Sequence, residues 1–219
     1  MTRTVGSSGV RTERNIREAG LRLIYKHGYE ATSMRQLASE VGIQQGSLYN
    51  YFRTKQDLLF TLAHDHMRDL LRKVDAALKQ GKTARERLEV FVRFHIDYHM
   101  QRKHEVFISY SEIRSLSEEN RQIIISLRRD YEERLVSILD QGRAEGVFDV
   151  ADTKVAAFGI LSMLSGISTW FNPRGRLSKE EVSSIFVRMV MGSVTWNEGE
   201  KVETKSRQSD ATVASAAAQ

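Results

Sequence analysis

Between Val41 and Leu59 the sequence reads VGIQQGSLYNYFRTKQDLL, and the eight residues from Gln44 to Tyr51 crowd amide, hydroxyl and aromatic groups around Gly46. Gln44 and Gln45 each carry a donor and an acceptor, the pair of functions that reads an adenine edge in a DNA major groove. Ser47 reaches a base or a phosphate, and Gly46 leaves room for a phosphate backbone to come close. Tyr49 and Tyr51 set phenolic hydroxyls beside phosphates, and Lys55 adds a cation just beyond. Each has a plainer reading. Tyr49 also suits half-buried packing, Asn50 faces either solvent or phosphate, and Lys55 also suits a solvated surface.

Those groups must be presented by elements. The pattern predicts a short helix over Gln44 to Tyr51, whose first free backbone N–H groups would face an anion. Leu48 and Phe52 point inward and would anchor it. A preceding helix, holding Leu37, Ala38 and Val41, ends at Gly42, and Ser33 with Gln36 opens it in a capping-box pattern. A first helix runs from about Thr12 to His27, with Ile16, Ala19, Leu23 and Ile24 on one stripe and Gly28 past its end. Three short helices with a glycine turn before the third make a helix-turn-helix pattern. In such an arrangement Thr32, Ser33 and Arg35 meet the opposite phosphate backbone, or Thr32 and Ser33 act purely as caps. Arg11 and Arg14 would ride along an adjacent groove.

Charge supports the same surface. The chain of 219 residues carries a net charge of +5, and the stretch from Met1 to Lys55 holds nine bases against four acids, which is the whole excess. A localised basic surface points to a polyanionic partner. No stretch approaches the ~20 apolar residues that cross a bilayer, and the polar start, with no apolar run, predicts no secretion signal. The absence of cysteine rules out disulfides and thiolate metal sites and fits a reducing, cytoplasmic setting.

Helical spacing continues to the end of the chain and strand alternation does not appear, so the fold class is all-α. Boxes Thr54/Asp57, Thr83/Glu86 and Ser178/Glu181 mark three helix starts. Six larger helices are expected: 55 to 80, 83 to 103, 105 to 115, 117 to 143, one opening at Asp149–Asp152 and reaching Phe171, and 178 to 196. The predicted organisation is a leader over 1–10, a helix-turn-helix domain over 11–54, a ligand-binding and dimerisation domain over 55–196, and a disordered tail over 197–219.

The segment ATSMRQLASEVGIQQGSLYNYFRTKQDLL resembles the DNA-binding segment of TetR-type transcriptional regulators. The likeness includes the Thr or Ser cap before the second helix, Leu37-Ala38, Val41-Gly42, Gly46, Leu48-Tyr49, Tyr51-Phe52, Lys55 and Leu58-Leu59. Many members carry histidine where this chain has Tyr51. The resemblance implies a homodimer on a palindromic operator, acting as a repressor that a small-molecule effector releases. It carries no resident cofactor and no membrane partner.

Two apolar helices read as the dimer surface: Ala156, Ile160, Met163, Leu164 and Ile167 on one, Val182, Ile185, Phe186, Met189, Val190 and Val194 on the other. The same residues also suit the protomer's own core. The effector pocket is expected among Phe91, Phe94, His95, Tyr98 and His99, with Phe107, Tyr110 and Ile113 on a far wall and Tyr131 and Met163 nearby. His95 and His99, four apart, present metal-ligand spacing, but no third ligand is placed, so a core histidine or a pocket hydrogen bonder is the better reading. Trp170, Arg174 and Arg176 set an indole beside two cations, chemistry that stacks a base and holds phosphates, as a coenzyme A thioester requires. Packing of Trp170 at a dimer seam, with both arginines solvated, is the alternative. That turn, with SEIRSLSEENRQII (Ser111 to Ile124), is similar to the branch of the family that senses acyl-coenzyme A intermediates of lipid or steroid breakdown. A drug or aromatic effector is the second reading. Acid–base catalysis by His95, His99 and Glu105 is the remote one, because no nucleophile arrangement or phosphate loop accompanies them.

Overall fold

The computed structural model describes residues 5–195. The expectations for residues 1–4, for Trp196 and for the tail over 197–219 fall outside that range.

The described residues form an all-α fold. The head comprises α1 (Val5–His27), α2 (Met34–Val41) and α3 (Gln45–Leu48). Helix α1 starts seven residues before Thr12, so residues 5–10, expected as leader, are its first turns. Glycine and serine there are weak helix formers, but each costs at most about 1 kcal/mol, and no proline forces a stop. Helix α2 is opened by Ser33, whose side chain accepts from the Gln36 N–H, and closed by Gly42 at φ 74°, a left-handed cap that glycine adopts without a Cβ clash. Helix α3 is one turn, shorter than the expected span to Tyr51. Beyond it the chain stays coiled through Asn50 N–H to Ser47 C=O at 3.3 Å and Tyr51 N–H to Leu48 C=O at 3.0 Å.

The body comprises α4 (Lys55–Leu78), α5 (Ala84–Gln101), α6 (Lys103–Ser111), a 3-10 turn (Ile113–Ser115), α7 (Glu118–Ala144), α8 (Thr153–Ser165), α9 (Ile167–Trp170) and α10 (Lys179–Val194). Of the four boxes read in the sequence, those at Thr54/Asp57, Thr83/Glu86 and Ser178/Glu181 are reciprocal caps, while at Ser33/Gln36 only the bond from the Gln36 N–H to the Ser33 side chain is made. The six expected segments are present, but the one reaching Phe171 begins at Thr153 rather than Asp149 and divides at Gly166 into α8 and α9. Asp152 is its N-cap, accepting from the Lys154 and Val155 N–H groups. The division has a local cause: Ser168 and Thr169 turn their hydroxyls onto the carbonyls of Ser165 and Gly166, competing with the helical ladder.

One core joins the two parts. Buried Ile16, Leu37, Leu48 and Phe52 of the head connect through Leu58, Leu59 and Leu62 to Leu88, Ile96, Leu135 and Ile138 of the body. Helix α4 lies against α5, α6 and α7, while α10 packs along α5. The head is tied to the body at two further points. Arg17 pairs with Asp65. Tyr25 of α1 meets Phe107 of α6 edge to face at 5.3 Å. Within the body, Gln56 of α4 donates to the Ser115 carbonyl and accepts from the Ser117 N–H.

Candidate nucleic-acid interface and effector cavities

The head presents a wedge with two sides. Leu48 and Phe52 are buried and hold it, at about 1.5–3 kcal/mol for each side chain. Gln44, Gln45, Gly46, Ser47, Tyr49 and Asn50 are exposed, and no atom lies within 4 Å of where a Cβ on Gly46 would stand. Gln45 donates to the Tyr49 hydroxyl at 3.3 Å, which orients both groups outward along one side of the turn. Ser33, Arg35 and Arg14 are exposed, with Arg14 3.8 Å from Glu18. Tyr51 is half-buried against the core.

Two expected phosphate contacts are placed differently. Thr32 is 3% exposed and its hydroxyl donates to the Gly28 carbonyl at 2.9 Å, so it fastens the α1–α2 turn and is turned away from the surface. The Lys55 ammonium donates to the carbonyls of Tyr29 at 2.9 Å and Glu30 at 3.4 Å and sits 4.0 Å over the Tyr29 ring. Its charge therefore braces the same turn from the start of α4, with one N–H left over from its three.

The residues of α5 expected at the effector pocket are core. Phe91, His95, Tyr98 and His99 are all buried. His95 and His99 stack with ring centroids 3.8 Å apart. His99 Nδ1 lies 2.9 Å from the His95 carbonyl, and His95 Nδ1 lies 3.0 Å from the Tyr131 hydroxyl. Burial lowers the pKa of both, His99 to about 4, and holds the rings neutral. Among the described residues no group of three or more metal-capable side chains converges.

The open volume lies one layer out. A cavity of about 480 Å³ is bounded by Tyr25 of α1, Lys103, Phe107 and Tyr110 of α6, and Ser165, Gly166, Ser168 and Thr169 at the α8–α9 break. A second, of about 370 Å³, is bounded by Met67 and Leu70 of α4, Tyr110, Arg128 and Tyr131 of α7, and Phe158, Leu161 and Ser165 of α8. Phe107 lines the first cavity, Tyr131 the second, and Tyr110 both. Lys103, Ser165 and Tyr25 were missed. The run SGIST inside a helical pattern was the available signal, since small hydroxyl residues leave space in a helical layer.

Trp170 is 56% exposed and stacks on Phe186 with centroids 6.3 Å apart. Arg174 and Arg176 are exposed and line neither cavity. Of the residues assigned to a dimer surface, Ile160, Ile167, Val182, Phe186 and Val190 are buried in the protomer's own core. Ala156, Met163 and Ile185 are half-buried, and Met189 is 51% exposed. The uncovered apolar groups are their neighbours one step round the helix, Val155 at 67% and Phe158 at 50%.

An exposed polar wedge on a three-helix head, fused to a helical body with one cavity at the seam and a second inside the body, defines a helix-turn-helix regulator with an effector domain. The family comparison agrees. Residues 16–62 match the family model for bacterial regulatory proteins of the tetR family, and residues 81–194 match that for a tetracyclin repressor-like C-terminal domain. The chain belongs to the TetR family of ligand-responsive, DNA-binding transcriptional regulators, which replaces the catalytic reading of His95, His99 and Glu105. It is similar to the HTH-type transcriptional repressor KstR2 of Mycolicibacterium smegmatis, 26% identical over 80% of this chain and 86% of that one. Among solved structures it is similar to the TetR-family regulator PfmR of Thermus thermophilus, with TM-score 0.74, 32% identity and coverage of 81% and 97%. It is also similar to AibR in complex with isovaleryl coenzyme A and operator DNA, with TM-score 0.76, 30% identity and coverage of 81% and 97%. Among the described residues no helix is long and apolar enough to cross a membrane.

Proposed function

We propose that this chain is a repressor that holds a palindromic operator as a homodimer and leaves it when an acyl-coenzyme A-type metabolite fills the body. Residues 11–54 form the reading head and 55–196 the effector and dimer part, with α4, about 36 Å long, as the lever between them. Gln44, Gln45 and Ser47 read base edges; Ser33, Arg35, Tyr49 and Asn50 hold phosphates. Two heads so placed read successive major grooves about 34 Å apart. Val155 and Phe158 of α8 with Ile185 and Met189 of α10 form the seam between copies, in a four-helix arrangement.

The observation that carries the reading is the cavity of about 480 Å³ whose wall includes Tyr25 of the head. An occupant there touches both parts of the molecule at once, so its affinity depends on how head and body are set, the condition for shifting an equilibrium between two shapes. The acyl-thioester class is supported by the ammonium of Lys103 at the cavity and by the coenzyme A ligand of AibR. The rings of Tyr25, Phe107 and Tyr110 favour an aromatic compound as the second reading. Mobility shift on the DNA upstream of the chain's own gene, titrated with acyl-coenzyme A thioesters, the matching free acids and aromatic acids, separates the two. Release by thioesters alone supports the first reading; release by aromatic acids alone replaces it with the second.

A further inference from the structure

The two cavities share a wall made by one pair of side chains. Tyr110 of α6 and Ser165 at the end of α8 line both, and their hydroxyls are 3.3 Å apart in a hydrogen bond that joins the two helices. The pair is braced on each side. Ser165 Oγ is also 3.4 Å from His95 Nε2, and His95 is held in turn by Tyr131. On the other flank the Arg128 guanidinium lies 4.6 Å over the Tyr110 ring.

The two compartments differ in chemistry. The first holds a cation, Lys103, with one bond to the Phe171 carbonyl at 2.8 Å, and the hydroxyls of Ser168 and Thr169. It suits the polar or anionic part of a ligand. The second carries the charged side chains of Arg128 and Glu132 on its α7 side, but Met67, Leu70, Leu161 and Phe158 make the rest of its wall mainly apolar, and it suits an apolar body. Together they hold about 850 Å³, the two volumes of about 480 and 370 Å³ added, within the range of small-molecule sites.

We propose that Tyr110 and Ser165 are a gate across one continuous channel, and that the effector is a two-part molecule whose apolar chain displaces Tyr110. The polar part stays at Lys103 and the chain passes into the compartment between α7 and α8. Rotation of Tyr110 breaks its bond to Ser165. A ligand carbonyl at the gate then accepts from the freed Ser165 hydroxyl, so the polar groups stay paired. Short chains end before the gate and leave it closed. Tyr110 is therefore a specificity residue: it sets a minimum chain length for tight binding. The proposal rests on the acyl-effector reading for the polar part, but the gate itself depends on the chain.

The test uses the full chain and two ligand series, acetyl-, hexanoyl- and dodecanoyl-coenzyme A and the free hexanoic and dodecanoic acids, with affinities from calorimetry. Wild-type affinity should rise steeply between hexanoyl and dodecanoyl. Tyr110→Ala removes the gate bond while keeping the Ser165 hydroxyl for the ligand, and should tighten dodecanoyl binding about fivefold, leaving acetyl-coenzyme A unchanged. Tyr110→Phe, which keeps the ring, should show the same direction with a smaller change. Lys103→Met should weaken every anionic ligand by about tenfold and leave the length dependence intact. Thermal melts confirm that the variants fold. If length dependence is the same in wild type and Tyr110→Ala, the gate is wrong even where thioesters release the operator. If free acids follow the gate and thioesters do not bind, the gate stands and the thioester reading falls. Binding of neither series overturns both.

Discussion

At the residue scale, the wedge and the histidines make separate predictions. Gln44 is exposed and carries no partner role in the fold, so Gln44→Ala should leave stability unchanged and cost about 1–3 kcal/mol of discrimination at one base pair per half-site. A panel of operator variants in mobility-shift titrations measures it; equal discrimination by wild type and variant counts against base reading by Gln44. His66 and His99 make a pH prediction. Burial lowers their pKa, to about 3 for His66 and about 4 for His99, against about 6.5 in an unfolded chain. Below pH 6.5 the unfolded chain therefore binds more protons than the folded one. Stability is fully present above that value and is lost as the pH falls toward about 4, at about 1.4 kcal/mol per pH unit for each group within that window. Urea midpoints across the range check the slope, and His99→Phe should make it shallower. Residue types on the wedge were readable from sequence, because exposed recognition chemistry is local. The task of Lys55 was not, because its ammonium is spent on the carbonyls of Tyr29 and Glu30, which sequence spacing does not bring near; Thr32 bonds the Gly28 carbonyl four residues back, and burial of the turn decided between cap and phosphate contact.

At the element scale, helix ends behave as the capping residues dictate. Thr54→Ala removes one bond of a reciprocal box at the junction of head and lever and should cost about 1 kcal/mol, read from urea unfolding. A tighter constraint lies at Gly142 of α7. Phe148 crosses α7 there so closely that a Cβ on residue 142 would stand 1.9 Å from its ring. Gly142→Ala must displace the aromatic and should destabilise by about 1–3 kcal/mol; a drop smaller than about 0.5 kcal/mol, a surface-like effect, would show that Phe148 shifts freely. The α8–α9 division belongs to this scale too. A glycine and three hydroxyl residues weakened the helical pattern without stating where it would break. The place is marked by Ser168 and Thr169, whose hydroxyls bond back to the carbonyls of Ser165 and Gly166.

At the scale of the whole molecule, pairing of two copies determines whether two wedges reach two grooves. Val155, Phe158 and Met189 leave an apolar face that a single protomer does not cover. Phe158→Lys combined with Met189→Lys should convert a dimer to a folded monomer in sedimentation velocity. Operator affinity should then fall by at least about 100-fold, as two tethered heads become one. A double variant that remains dimeric moves the interface elsewhere. Retained affinity in a proven monomer removes pairing from the account of DNA binding.

Sequence alone determined the all-helical class, the helix-turn-helix, three of the capping boxes and the identity of the exposed wedge. These rest on interactions between residues three or four apart, and such spacing is written directly in the chain. Only the tertiary structure decided that His95 and His99 are core, that Lys103 rather than Arg174 or Arg176 stands at a cavity, and that Tyr110 and Ser165 meet. It also decided which side of each apolar helix is left uncovered. Helices α8 and α10 are apolar over arcs wider than one neighbour can cover. The choice between core and interface was therefore made by the packing of α5 and α7, elements dozens of residues away, and no local pattern carries that choice.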